Sequence, residues 1–158
     1  MKTKKEIILE TATNLFANLG FEKTSVAAIC EKAKVSKGLV YHHFSSKDEI
    51  LIAIYEQSTQ DMMNLSSKGI EKKANEKILD IIIAIFQQLE DNKLFLKLNL
   101  NIMFQPSTRK ILETQIKERA SQLFKSVQSV FNEIDSRNSK LLSYVFISEI
   151  DGIALSYL

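Results

Sequence analysis

Apolar residues return every three or four positions through almost the whole chain. Between residues 3 and 19, Ile8, Ala12, Leu15 and Leu19 fall on one helical face, with Glu6, Glu10 and Asn14 elsewhere. Gly20 follows where a left-handed residue ends a helix. Thr24 or Ser25 can cap a second helix running to about Lys32, with Val26, Ile29 and Cys30 on its apolar side. Residues 33–35 make a short turn, and Ser36 can cap a third helix from Lys37 to about Phe44. Ser46 with Glu49 three positions on has the form of a capping box. It opens a fourth helix whose face is Ile50, Leu51, Ile54, Tyr55 and Ser58.

The helical period continues in the second half. Ile78, Ile81, Ile82, Ile85, Phe86 and Leu89 form a broad stripe, and residues 91–93 end or bend that helix. A shorter apolar segment, residues 94–104, is interrupted by Lys97, Asn99 and Asn101. Pro106 suits the first turn of the next helix. Leu112, Ile116, Ala120, Leu123, Val127, Val130 and Ile134 then step by three or four. Residues 135–139 form a turn, and the last segment, 141–158, is strongly apolar around Glu149 and Asp151. The pattern predicts eight helices and no strand, an all-α fold. With only 4 Gly and 1 Pro, turn-rich all-β layouts are disfavoured.

Composition narrows function less than pattern does. The net charge of +2 is weak evidence for any partner, and residues 1–60 hold 8 Lys against 7 acids. A nucleic-acid partner must therefore be argued from where charges sit. Cys30 is the single cysteine, which rules out an internal disulfide or a cysteine metal cluster. No apolar signal core opens the chain, and its longest unbroken apolar run, residues 81–86, is too short to span a bilayer. The expectation is a cytoplasmic protein with no membrane partner. There is no Ser elbow, paired-His metal motif, phosphate loop or Cys–His arrangement. No enzymatic activity, cofactor or metal is expected.

The short helices at 25–32 and 36–44, joined by a three-residue turn, have helix-turn-helix spacing. Val35, Val40 and Phe44 can form the buried side of the second. Lys37, Leu39, Tyr41 and His42 then form its outer side. Lys37 stands near the helix N-terminus and can donate to guanine O6 or N7. Gly38 lets the helix approach a groove closely. Leu39 can touch a thymine methyl. Tyr41, His42 and Lys47 can donate to phosphates. Thr24, Ser25, Ser36 and Lys47 occupy helix starts, which favour anions. His42 and His43 are adjacent, about 100° apart on a helix, and cannot easily share one metal. Spacing alone leaves an ordinary capped surface helix equally open.

Residues 7–55 resemble the DNA-binding domain of the TetR family of bacterial transcriptional regulators. The resemblance rests on Thr24-Ser25-Val26 and Ile29, on Val35-Ser36-Lys37-Gly38, on Tyr41-His42-His43-Phe44, and on Ser46-Lys47. It implies an N-terminal three-helix DNA-binding domain over 1–46. Residues 47–158 would form a helical bundle for effector binding and dimerisation. It further implies a homodimer on palindromic double-stranded operator DNA, most simply a repressor, released by a small-molecule effector. Lys34 departs from the pattern, because the family turn often carries Gly. It either adds a phosphate contact or costs strain if left-handed. Such proteins usually continue for another helix, so the expectation is that a final helix is lacking after Leu158. For the effector pocket, Phe86, Phe95, Met103, Phe104, Phe124 and Tyr144 can supply walls. Asn99, Asn101 and Asp151 can supply polarity. Aromatics at helical spacing are more often ordinary core residues.

Overall fold

The computed structural model describes residues 2–66, 72–91 and 93–156. Tyr157, Leu158 and Asn92 of the expected bend lie outside the described residues. Among the described residues there are nine α-helices and no strand. They are α1 (Lys4–Leu19), α2 (Val26–Ala33), α3 (Lys37–His43), α4 (Lys47–Ser66), α5 (Ala74–Asp91), α6 (Lys93–Phe104), α7 (Pro106–Ile111), α8 (Glu113–Ile134) and α9 (Ser139–Ser156). The fold is all-α, as the period of the apolar positions predicts. The extra helix arises because the long element expected after Pro106 is broken at Leu112. There Thr108 is buried and its hydroxyl donates to the carbonyls of Ile102 and Gln105, at 3.2 and 3.0 Å.

Two compact units divide the chain. The first contains residues up to Ser58 together with Leu94–Gln115. The second contains Thr59–Lys93 and Ile116–Leu158. In the first, α1, α2 and α3 pack on one another. Thr3 caps α1 in a reciprocal box with Glu6, whose carboxylate accepts from the Thr3 N–H at 2.6 Å. The buried face of α1 is Ile8, Ala12, Phe16 and Ala17. Leu19, expected on that face, is 53% exposed. Phe16, two steps of four beyond Ile8, is buried instead. Gly20, with φ of 87°, turns the chain so that Phe21 meets Phe16 at 5.1 Å between ring centroids. Ile29, Cys30 and Ala33 of α2, Val40 of α3 and Phe44 complete this core. The α4 face expected from the pattern, Ile50, Leu51, Ile54, Tyr55 and Ser58, is buried throughout.

Helix α6 joins the same unit through Phe95, Leu98 and Ile102. Its polar residues are tied to the end of α1. Lys97 Nζ donates to Asn18 Oδ1 at 2.9 Å, and Asn101 Nδ2 donates to the Ala17 carbonyl at 3.1 Å. Asn101 therefore holds α1 rather than lending polarity to a pocket.

In the second unit, Leu89 of α5 and Val127 and Val130 of α8 are buried. Phe131 meets Phe146 edge to face at 5.8 Å, and Lys77 of α5 pairs with Glu133 of α8 at 2.8 Å. No described helix is long and apolar enough to cross a membrane.

Candidate nucleic-acid interface

The site is built by two caps and one turn. The Ser25 side chain accepts from the Ala28 N–H at 3.1 Å and opens α2. The Ser36 side chain accepts from the Leu39 N–H at 3.2 Å and opens α3. Each hydroxyl keeps its own proton, which can still be donated to an acceptor outside the chain. Between them, Lys34 closes α2 in the left-handed region, and its N–H bonds the Cys30 and Glu31 carbonyls. The cost expected for a left-handed lysine is therefore present.

Helix α3 is short, so its two faces separate cleanly. Val40 is 1% exposed and Phe44, just past the end, is 3% exposed. Lys37, Gly38, Tyr41 and His42 are exposed, and Leu39 is half-buried. Lys37 Nζ lies 5.7 Å from the centre of the Tyr41 ring. A Cβ placed on Gly38 would meet nothing within 4 Å. Packing inside the chain thus does not demand glycine at this position. His42 and His43 set their rings 5.2 Å apart, and His43 is half-buried. Among the described residues no group of His, Cys, Asp or Glu is arranged to hold a metal.

Two residues expected at the interface, Thr24 and Lys47, are placed otherwise. Thr24 is 1% exposed, and its hydroxyl donates to the Gly20 carbonyl at 2.9 Å. It holds the turn before α2 and presents no hydroxyl to a partner. Lys47 reaches inward. Its Nζ donates to the Phe21 and Thr24 carbonyls, at 2.9 and 3.0 Å, and sits 4.1 Å from the centre of the Phe21 ring. Its charge is spent on the turn between α1 and α2. Glu49 also differs from expectation. Ser46 accepts from the Glu49 N–H at 3.0 Å, but the Glu49 carboxylate bonds Ser45 rather than Ser46. The hydroxyl and then the backbone N–H of Ser45 hold the Glu49 carboxyl below its ordinary value. Lys5 of α1, not singled out by the apolar pattern, lies 5.7 Å from the centre of the Phe44 ring.

The residues expected to line an effector pocket are not drawn together in one unit. Phe86, Phe124, Tyr144 and Asp151 belong to the second unit, and Asn99, Met103 and Phe104 to the first. Phe124 and Tyr144 stack at 4.7 Å between centroids. Burial pushes the Asp151 carboxyl up from its ordinary value, while the charge of Arg119 pulls it down. Phe86 and Asn99 are half-buried. Met103 is 55% exposed and Phe104 78% exposed.

The model of the family described as bacterial regulatory proteins, tetR family, matches residues 8–54. These residues contain the whole of α2, the turn and α3. The uncharacterized HTH-type transcriptional regulator YuxN of Bacillus subtilis is 29% identical over 163 aligned residues, covering 100% of this chain and 55% of YuxN. YerO, an uncharacterized HTH-type transcriptional regulator of the same organism, is 33% identical over 115 residues, covering 70% of this chain and 40% of YerO. The chain thus spans about half the length of these curated relatives. Among solved structures, the fatty acid degradation regulator FadR from Bacillus halodurans shares the fold. It has a TM-score of 0.86 at 17% identity, over 99% of this chain and 85% of that one. With the helix-turn-helix geometry and the family match in agreement, residues 8–54 belong to the tetR family of bacterial regulatory proteins.

Proposed function

We propose that the protein is a ligand-responsive transcriptional regulator that binds palindromic operator DNA as a homodimer, represses, and is released by a small-molecule effector. The observation that carries the reading is the outer face of α3. Lys37, Gly38, Tyr41 and His42 are exposed there, while Val40 and Phe44 anchor the opposite face. Such a helix enters a major groove with its N-terminal residues leading. In this reading residues 1–46 act on DNA, and residues 47–158 bind the effector and join two subunits. Tyr41 and His42, with the spare protons of Ser25 and Ser36, position the backbone, and Lys37 and Leu39 read bases. Lys37→Ala should therefore cost about 1–3 kcal/mol of discrimination at one base pair. A titration against a selected duplex and its scrambled counterpart checks this, and an unchanged ratio of the two affinities would remove Lys37 from the base readers.

Dimerisation is supported by apolar side chains left uncovered on the last two helices. Leu141, Tyr144, Val145 and Leu155 of α9 and Ile134 of α8 are each more than half exposed. On α9 they flank Ser148 and Gly152, small residues at helical spacing, and a Cβ on Gly152 would meet nothing within 4 Å. Burying such a face against its two-fold copy removes it from water. Val145→Glu is expected to convert the dimer to monomer in sedimentation at micromolar concentration and to weaken operator binding in parallel. A parent protein that sediments as a monomer would contradict the dimer.

Effector release requires that ligand and operator oppose each other by the same factor, whichever binds first. Ligand affinity measured with and without saturating operator tests the coupling, and equal values would refute it.

A further inference from the structure

Lys34 ends α2 with φ of 53° and ψ of 49°. Among the described residues it is the one non-glycine residue with positive φ. A Cβ is disfavoured in that conformation, and glycine is not. Nothing the side chain does inside the chain offsets that cost. Lys34 is exposed, and its ammonium makes no hydrogen bond or ion pair with any described residue. Its backbone N–H bonds two carbonyls, a role glycine fills equally well.

Three other lysines of this unit have contacts within the chain. Lys47 is bonded to two carbonyls, and Lys5 and Lys37 lie beside the Phe44 and Tyr41 rings. Lys34 stands two residues before Ser36, the N-cap of α3. When the N-terminal end of the second helix leads into a major groove, the residue just before it stands at the groove's rim, beside the phosphates. Strained residues of this kind are retained where something outside the local backbone requires them.

We propose that Lys34 contacts the phosphate backbone of bound DNA, and that the left-handed turn is occupied by lysine for its charge. The inference rests on the DNA-binding reading above. Phosphate contacts do not depend on sequence, so a mixed-sequence duplex of about 30 base pairs, room for two half-sites one turn apart, is a sufficient probe. Affinity is titrated over a series of salt concentrations for the parent, Lys34→Gly, Lys34→Asn and Lys34→Arg, with thermal unfolding of each.

Lys34→Gly is expected to lower the slope of log affinity against log salt by about 0.9, the value for one phosphate contact. Its Tm should equal the parent's or exceed it by up to about 4 °C. Lys34→Asn, which tolerates the left-handed region without charge, should lose the same slope, and Lys34→Arg should keep it. An unchanged slope in Lys34→Gly would overturn the inference, with DNA binding itself intact. A lower Tm for Lys34→Gly would overturn it differently, by showing that the side chain stabilises the turn. A parent with no salt-dependent affinity for the duplex would overturn the DNA-binding reading and this inference with it.

Discussion

Phe44→Ala is expected to weaken DNA binding by destabilising the first unit, without touching a DNA contact. Phe44 is 3% exposed at the end of α3, with Lys5 above its ring, and Val40 one turn before it is 1% exposed. Its backbone N–H also closes α3 on the Val40 carbonyl at 2.9 Å. Truncating a buried Phe to Ala costs about 3–5 kcal/mol, from the lost transfer energy and the cavity left behind. That is a large part of the 5–15 kcal/mol typical of a whole domain. Far-ultraviolet circular dichroism during denaturant titration should show a lower midpoint, and DNA binding should fall with the folded fraction. Phe44→Leu, which keeps most of the volume, should restore most of both. Retained stability in Phe44→Ala together with lost DNA binding would instead make Phe44 a contact residue.

Lys47→Ala is expected to cost about 2–3 kcal/mol of stability and to weaken binding to every duplex alike. Two charge-assisted hydrogen bonds to the Phe21 and Thr24 carbonyls disappear. So does the contact with the face of the Phe21 ring. The Thr24 carbonyl precedes Ser25, the cap of α2, so a loosened turn displaces the start of that helix. The salt slope separates this role from a phosphate contact. A lysine spent inside the chain leaves the slope unchanged when removed, whereas a phosphate contact would lower it by about one. Lys47→Met should fare like the alanine variant, because it restores bulk but no donors. A normal Tm with a reduced slope would show that Lys47 turns outward to the DNA backbone.

These two residues mark where sequence is informative. Phe44 was legible because burial follows periodicity, and the α4 face from Ile50 to Ser58 was legible for the same reason. The caps at Ser25 and Ser36 were legible because a hydroxyl before a helix has few other uses. Leu19 was not. A list of apolar positions does not say where a helix will be closed, and Gly20 brings Phe21 back onto Phe16 instead. Lys47 was misplaced because its partners are carbonyls more than twenty residues earlier in the chain, and backbone acceptors carry no sequence mark. Glu49 was off by one serine, since two adjacent serines offer equivalent hydroxyls and only geometry selects Ser45. The pocket residues were least legible. Aromatic residues at helical spacing serve a core, a cavity or an uncovered face equally well, and Phe104 and Tyr144 fall on exposed surface.

The central claim is that two copies of α3 read a palindromic double-stranded site. Selection of bound duplexes from a random-sequence pool, followed by sequencing, tests it most directly. The expected result is an enriched inverted repeat with half-site centres about 10 base pairs apart, or a multiple of that spacing. Lys37→Ala should relax the preference at one position in each half. A pool that gains affinity without any repeated sequence, or that gains none at all, would contradict the claim.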